Sequence, residues 1–127
     1  MSFRNAFGAA WLGAAVFGLF AGCGGSTDDR PAKWSFISAA IVEPSCATAS
    51  CHSDVAQKAG VNLFNKDVGF KSLVDRHFVF PGNAAGSELI HLLQATGTKR
   101  MPPDFALPPE DIQLISDWIQ KDQAKND

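Results

Sequence analysis

The stretch PSCATASCHS, residues 44–53, constrains this chain more than any other. Cys46 and Cys51 stand with four residues between them, and His52 follows the second directly. The segments around this cluster are short. From Lys33 to Val42 the apolar residues Trp34, Ile37 and Ile41, with Phe36 and Ala40 alongside, fall at helical spacing. Glu43-Pro44 is expected to end that helix, because a residue before proline avoids the helical region. Residues 53–66 read as irregular, with Val61, Leu63 and Phe64 pointing inward. Asp67 to Val74 predicts a short helix capped by Asp67 that buries Phe70, Leu73 and Val74. Pro81-Gly82 is turn chemistry. Ser87 to Ala95 predicts a second short helix, stopped by Gly97. Four prolines make residues 98–109 an extended segment. A final helix starts at Pro109, with Glu110 and Asp111 at its positive end and Ile112, Ile115, Trp118 and Ile119 on one face. No alternating run is long enough for a sheet, and no repeat is present. The expected fold is all-α, three to four helices joined by long loops.

The N-terminus sets the compartment. Arg4 is the only charge before Asp28, and every residue from 6 to 22 is apolar or glycine. Such a run after a short charged start reads as a secretory signal. Its length approaches that of a spanning helix, the competing reading. Four glycines within it, and small residues at its end, favour cleavage. LFAGC places Ala21 and Gly22 directly before Cys23 and resembles a bacterial lipobox, with Phe20 where the pattern prefers an aliphatic residue. That resemblance implies lipidation at Cys23 and anchoring to a membrane rather than spanning it. Residues 1–22 are thus expected to be a lipoprotein signal peptide, 23–32 a polar tether, and 33–127 one folded domain. The expected location is the bacterial cell envelope, periplasm-facing or outer membrane. Without residues 1–22 the chain keeps ten basic and thirteen acidic side chains. With no basic stripe, a nucleic-acid partner has no support.

A domain of this size has a marginal core unless a disulfide, metal or cofactor staples it. With Cys23 lipidated, two thiols remain in an exported protein, and they are not expected to stay free. A Cys46–Cys51 disulfide closes only a short loop and stabilises modestly. Zinc needs two further ligands, and His77 and His91 are scattered rather than paired. Covalent haem uses both thiols as thioethers and the adjacent His52 as an iron ligand. It then calls for a sixth ligand from elsewhere. Met101 is the only methionine besides Met1.

Taken together, CATASCH, the Pro81-Gly82 turn, RMPP at 100–103 and the closing LPPEDIQLISDWI resemble the small class I c-type cytochromes over most of residues 33–122. The resemblance implies that the first and last helices cross. It implies one haem c per chain, with Cys46 and Cys51 as thioether attachments, His52 as proximal and Met101 as distal ligand. The family usually has two residues between its cysteines. The four here fit if Ala47 to Ser50 bulge outward.

The implied function is one-electron transfer with redox proteins of the envelope as partners, and no catalytic acid–base pair or nucleophile stands out. The alternative is a non-redox envelope lipoprotein with a Cys46–Cys51 disulfide and no haem. His77 and His91 read as surface histidines, each a reserve candidate for the sixth ligand. Lys99 and Arg100 are candidates for haem propionates or for solvated charges. Trp118 is expected in the core against Trp34, Phe36 or Ile37.

Overall fold

The computed structural model describes residues 28–127; the expected signal peptide at 1–22, the expected lipidation site Cys23 and the expected tether as far as Thr27 lie outside the described residues. Among the described residues there are four helices and no strand, and no helix is long and apolar enough to cross a membrane. Helix α1 spans residues 34–46, α2 Lys66–Asp75, α3 Glu88–Gln94 and α4 Pro109–Gln120. Short 3-10 turns occupy Lys58–Gly60 and Gly97–Lys99.

Pro44 does not end the first helix. The chain takes one wider π turn over Ser38–Val42, in which Glu43 N–H donates to Ser38 O, and then resumes as Glu43–Cys46. The wider turn makes room for the proline ring, and Pro44, which lacks an N–H, sits in the first turn of the resumed segment. One continuous element therefore carries the core residue Trp34 and delivers Cys46 at its far end.

The core forms where α1, α2 and α4 meet. Trp34 and Trp118 stack with ring centroids 4.8 Å apart, and Phe70 presents its edge to both at 6.4 and 6.5 Å. Gly69 permits this approach, since a Cβ there would lie 3.3 Å from the Trp34 ring. Ile37, Ile41, Leu73, Ile115 and Ile119 fill the surrounding space, and Ile90 and Leu93 seat α3. The first and last helices thus pack against each other through their apolar faces.

Two local expectations are corrected. Asn65, not Asp67, caps α2, its side chain accepting from Val68 N at 3.0 Å. Phe64 points outward and is 51% exposed. The backbone leading into α2 is extended, so Val61 and Leu63 face the core while their alternate neighbours face away. The Pro81-Gly82 turn is as expected: Gly82 has φ +78, and Asn83 N–H closes onto Phe80 O at 2.9 Å. Ser87 ties that turn to α3, accepting from Phe80 N and donating to Asn83 O.

After α4 the chain turns back. Ala124 N–H donates to Trp118 O at 3.0 Å, and Trp118 Nε1–H to Lys125 O at 2.9 Å. This brings Asp127 to the start of α1, where its carboxylate accepts from Ser35 N at 3.0 Å and pairs with Lys33.

Candidate functional site

Cys46 ends α1 with its side chain half-buried against the core. The next four residues make a tight loop. Cys51 N–H donates to Thr48 O at 2.9 Å, and His52 N–H donates to Cys46 O at 3.1 Å. The second bond pinches the loop shut at its base, so four residues are spanned while the two ends stay adjacent. Thr48, Ala49 and Ser50 are exposed, as an outward bulge requires, whereas Ala47 packs on the core.

Beyond the loop, Leu63 N–H donates to His52 O at 2.7 Å and Lys58 N–H to Cys51 O at 2.9 Å, so both flanks are tied down. The imidazole is oriented as well. His52 Nδ1 lies 3.2 Å from Val61 O. A carbonyl only accepts, so Nδ1 carries the proton and the lone pair of the neutral ring resides on Nε2. A backbone carbonyl on the far nitrogen is the usual way a metal-ligating histidine is held.

Met101 comes to the same site from the segment after α3. Its N–H donates to Leu92 O at 3.0 Å, at the end of α3. Arg100 folds back over the following prolines, donating from Nε to Pro102 O at 3.3 Å and from Nη2 to Pro103 O at 3.1 Å. The residue after Pro103, Asp104, acts electrostatically on the Cys51 thiol, as does Lys58 with the opposite sign.

These elements enclose a cavity of about 300 Å³ whose lining includes Cys46, Cys51, His52, Met101 and Pro102. An adjoining inner space of about 110 Å³ shares Cys46, His52, Ala59 and Met101 and is otherwise walled by apolar side chains such as Val61, Leu73, Phe78 and Leu93. Two thiols, one imidazole and one thioether thus face a single apolar space. The thiols differ. Burial pushes Cys46 up to about 11, whereas hydrogen bonds from the Thr48 and then the Ser50 side chains hold Cys51 below the ordinary thiol value. Both are free thiols.

His77 and His91 are exposed and line neither space. No group of three or more His, Cys, Asp or Glu side chains among the described residues is placed to hold a metal ion. Lys99 is exposed. Three site features escape the sequence: the Val61 carbonyl, the Leu92 carbonyl and the Arg100 fork. The first two are backbone groups with no residue signature. The third was legible only as a charge.

The donor set fits a covalently held haem. The thiol pair suits thioether attachment, the free Nε2 and the thioether sulfur suit iron, and the apolar walls suit a macrocycle. Fold and site together define a small all-α cytochrome c-like architecture. A family model described as PSCyt1, Planctomycete cytochrome C, matches residues 49–104. The matched span begins inside the cysteine loop and ends just past the Met-Pro-Pro segment. It supports a cytochrome c-like domain carrying a c-type haem, and with it haem-based electron transfer. No curated protein and no solved structure matches the chain.

Proposed function

We propose that this protein is a one-electron carrier with one haem c, attached through Cys46 and Cys51 and ligated by His52 and Met101. The observation that carries the reading is that these four side chains line one cavity although Met101 lies far along the chain from the others. Bound there, the haem supplies one-electron redox chemistry. The chain's own residues do the rest. His52 is held by the Val61 carbonyl, which fixes the orientation of the ring and leaves Nε2 free. With His52 and Met101 as its iron ligands, the haem would favour the ferrous state and have a higher potential than two nitrogen ligands would give. The walls of the inner space are almost wholly apolar, which suits a macrocycle. By the same proposal, Cys23 carries lipid, the protein is anchored in the cell envelope, and its partners are redox proteins there.

The test is expression with a cytochrome maturation system followed by a pyridine haemochrome spectrum of the denatured protein. Haem should stay with the polypeptide. Each single variant, Cys46→Ser or Cys51→Ser, should shift the α band to longer wavelength, as one vinyl group is left free. A colourless product whose mass matches a Cys46–Cys51 disulfide would overturn the reading. Cys23→Ser should release a detergent-soluble protein into the aqueous fraction, and a wild type already found there would refute the anchor.

A further inference from the structure

We propose that Arg100 is a positioning residue for Met101, its guanidinium binding the two proline carbonyls that follow and so holding the thioether on the cavity. The proposal rests on the reading of Met101 as distal ligand. Pro102 and Pro103 have no N–H, so this stretch cannot stiffen itself by donating backbone hydrogen bonds. Met101 N–H reaches back to Leu92 O at 3.0 Å, which anchors the loop on the incoming side. On the outgoing side the Arg100 fork donates to Pro102 O at 3.3 Å and to Pro103 O at 3.1 Å. Pro102 is itself buried, and its carbonyl there requires a partner. The side chain of residue 100 thus reaches past Met101 to residues 102 and 103 and closes a small ring around it.

The chemistry favours arginine. Two donors fixed in one plane can hold two successive carbonyls, which a single ammonium on a flexible stem does less well. Because the guanidinium is engaged with these carbonyls, it is directed to the loop rather than to a haem propionate. Lys99 beside it is exposed and left to solvent.

The experiment uses the haem-loaded protein and titrates its ferrous form with carbon monoxide, a ligand that must displace the thioether. Arg100→Ala should raise carbon monoxide affinity on the order of tenfold, the scale of one lost charged hydrogen bond. The weak near-infrared charge-transfer band of the ferric form should disappear at lower denaturant than in the wild type, ahead of helix loss by far-ultraviolet circular dichroism. Arg100→Lys, which keeps the charge, should fall between the two and serves if the alanine variant does not fold. In a Met101→Ala background, Arg100→Ala should have no additional effect, since it acts through Met101. If Met101→Ala raises affinity but both Arg100 variants bind like the wild type, the clamp is overturned and the ligand assignment stands. If Met101→Ala itself changes nothing, the ligand assignment fails and the clamp with it. A changed pH dependence of the potential with unchanged carbon monoxide affinity would assign Arg100 to a propionate and overturn the proposal.

Discussion

The indole rings of Trp34 and Trp118 stack with their centroids 4.8 Å apart and their planes 25° from parallel. Both are fully buried, and each spends its N–H on a backbone carbonyl, Trp34 on Lys66 O at 2.7 Å and Trp118 on Lys125 O at 2.9 Å. The pair joins the helix that delivers Cys46 to the last helix, and it pins the start of α2 and the segment after α4 as well. Trp118→Ala should cost about 3–5 kcal/mol, comparable with the whole stability of a small domain. Trp118→Phe keeps an aromatic ring but leaves Lys125 O without its donor, and should cost about 1–2 kcal/mol. Denaturant midpoints of the haem-loaded variants, followed by far-ultraviolet circular dichroism, measure both.

In the haem-free protein the two thiols should react unequally. Thiolate is the reactive form, and burial disfavours it at Cys46 while the Thr48 and Ser50 side chains favour it at Cys51. Near pH 8, Cys51 should be alkylated more than about tenfold faster than Cys46. Thr48→Val combined with Ser50→Ala should slow Cys51. Timed iodoacetamide labelling with peptide mass mapping reads this directly, and equal rates would contradict it.

On the proposal that Met101 is the distal ligand, replacing it with histidine should keep a six-coordinate iron and lower the reduction potential, because imidazole favours ferric iron more than a thioether does. The near-infrared band should vanish while the visible spectrum remains that of a six-coordinate haem. Redox titration and absorption spectroscopy are sufficient. If the potential does not fall, Met101 is not the ligand, and His77 and His91 are the next residues to replace.

Asp127 gives a pH-dependent contribution at the start of α1. Its carboxylate accepts from Ser35 N and pairs with Lys33, which together hold it below the usual carboxylate range. A depressed folded value means that the stabilisation is present above about pH 4, the unfolded value, and is lost as the pH falls through the folded one. Asp127→Ala should cost about 1 kcal/mol or less at pH 7, as a partly screened cap. The difference between variant and wild type should shrink in acid. Unfolding midpoints between pH 3 and 7 test the trend, and a gap that widens in acid would reverse the assignment.

Much of the helical layout was legible in the residues themselves. The apolar spacing of Trp34, Ile37 and Ile41 and of Ile115, Trp118 and Ile119 follows from 3.6 residues per turn, and those side chains are buried. Where the reading failed, a local rule met a competing contact. Pro44 forbids a regular α-helix but not a π turn, and the core contacts of α1 carry the helix through it. Phe64 is apolar, yet an extended backbone can bury only alternate residues, and Val61 and Leu63 take that side. Asp67 is a good cap by type, but Asn65 stands where the chain turns into the helix.

The same division holds at the site. By itself the sequence determined which donor atoms were available: two sulfurs, one adjacent imidazole and one thioether, because side-chain chemistry belongs to residue type. Only the tertiary structure decided how they are aimed. The Val61 carbonyl engages Nδ1 of His52 and so leaves Nε2 free, the Leu92 carbonyl anchors Met101, and Arg100 turns from a surface charge into a fork on two prolines. Every residue carries a carbonyl, so none of these partners has a signature in the sequence. They are chosen by the path of the chain, which is set when the helices pack and bring distant backbone within about 3 Å of the groups it must hold.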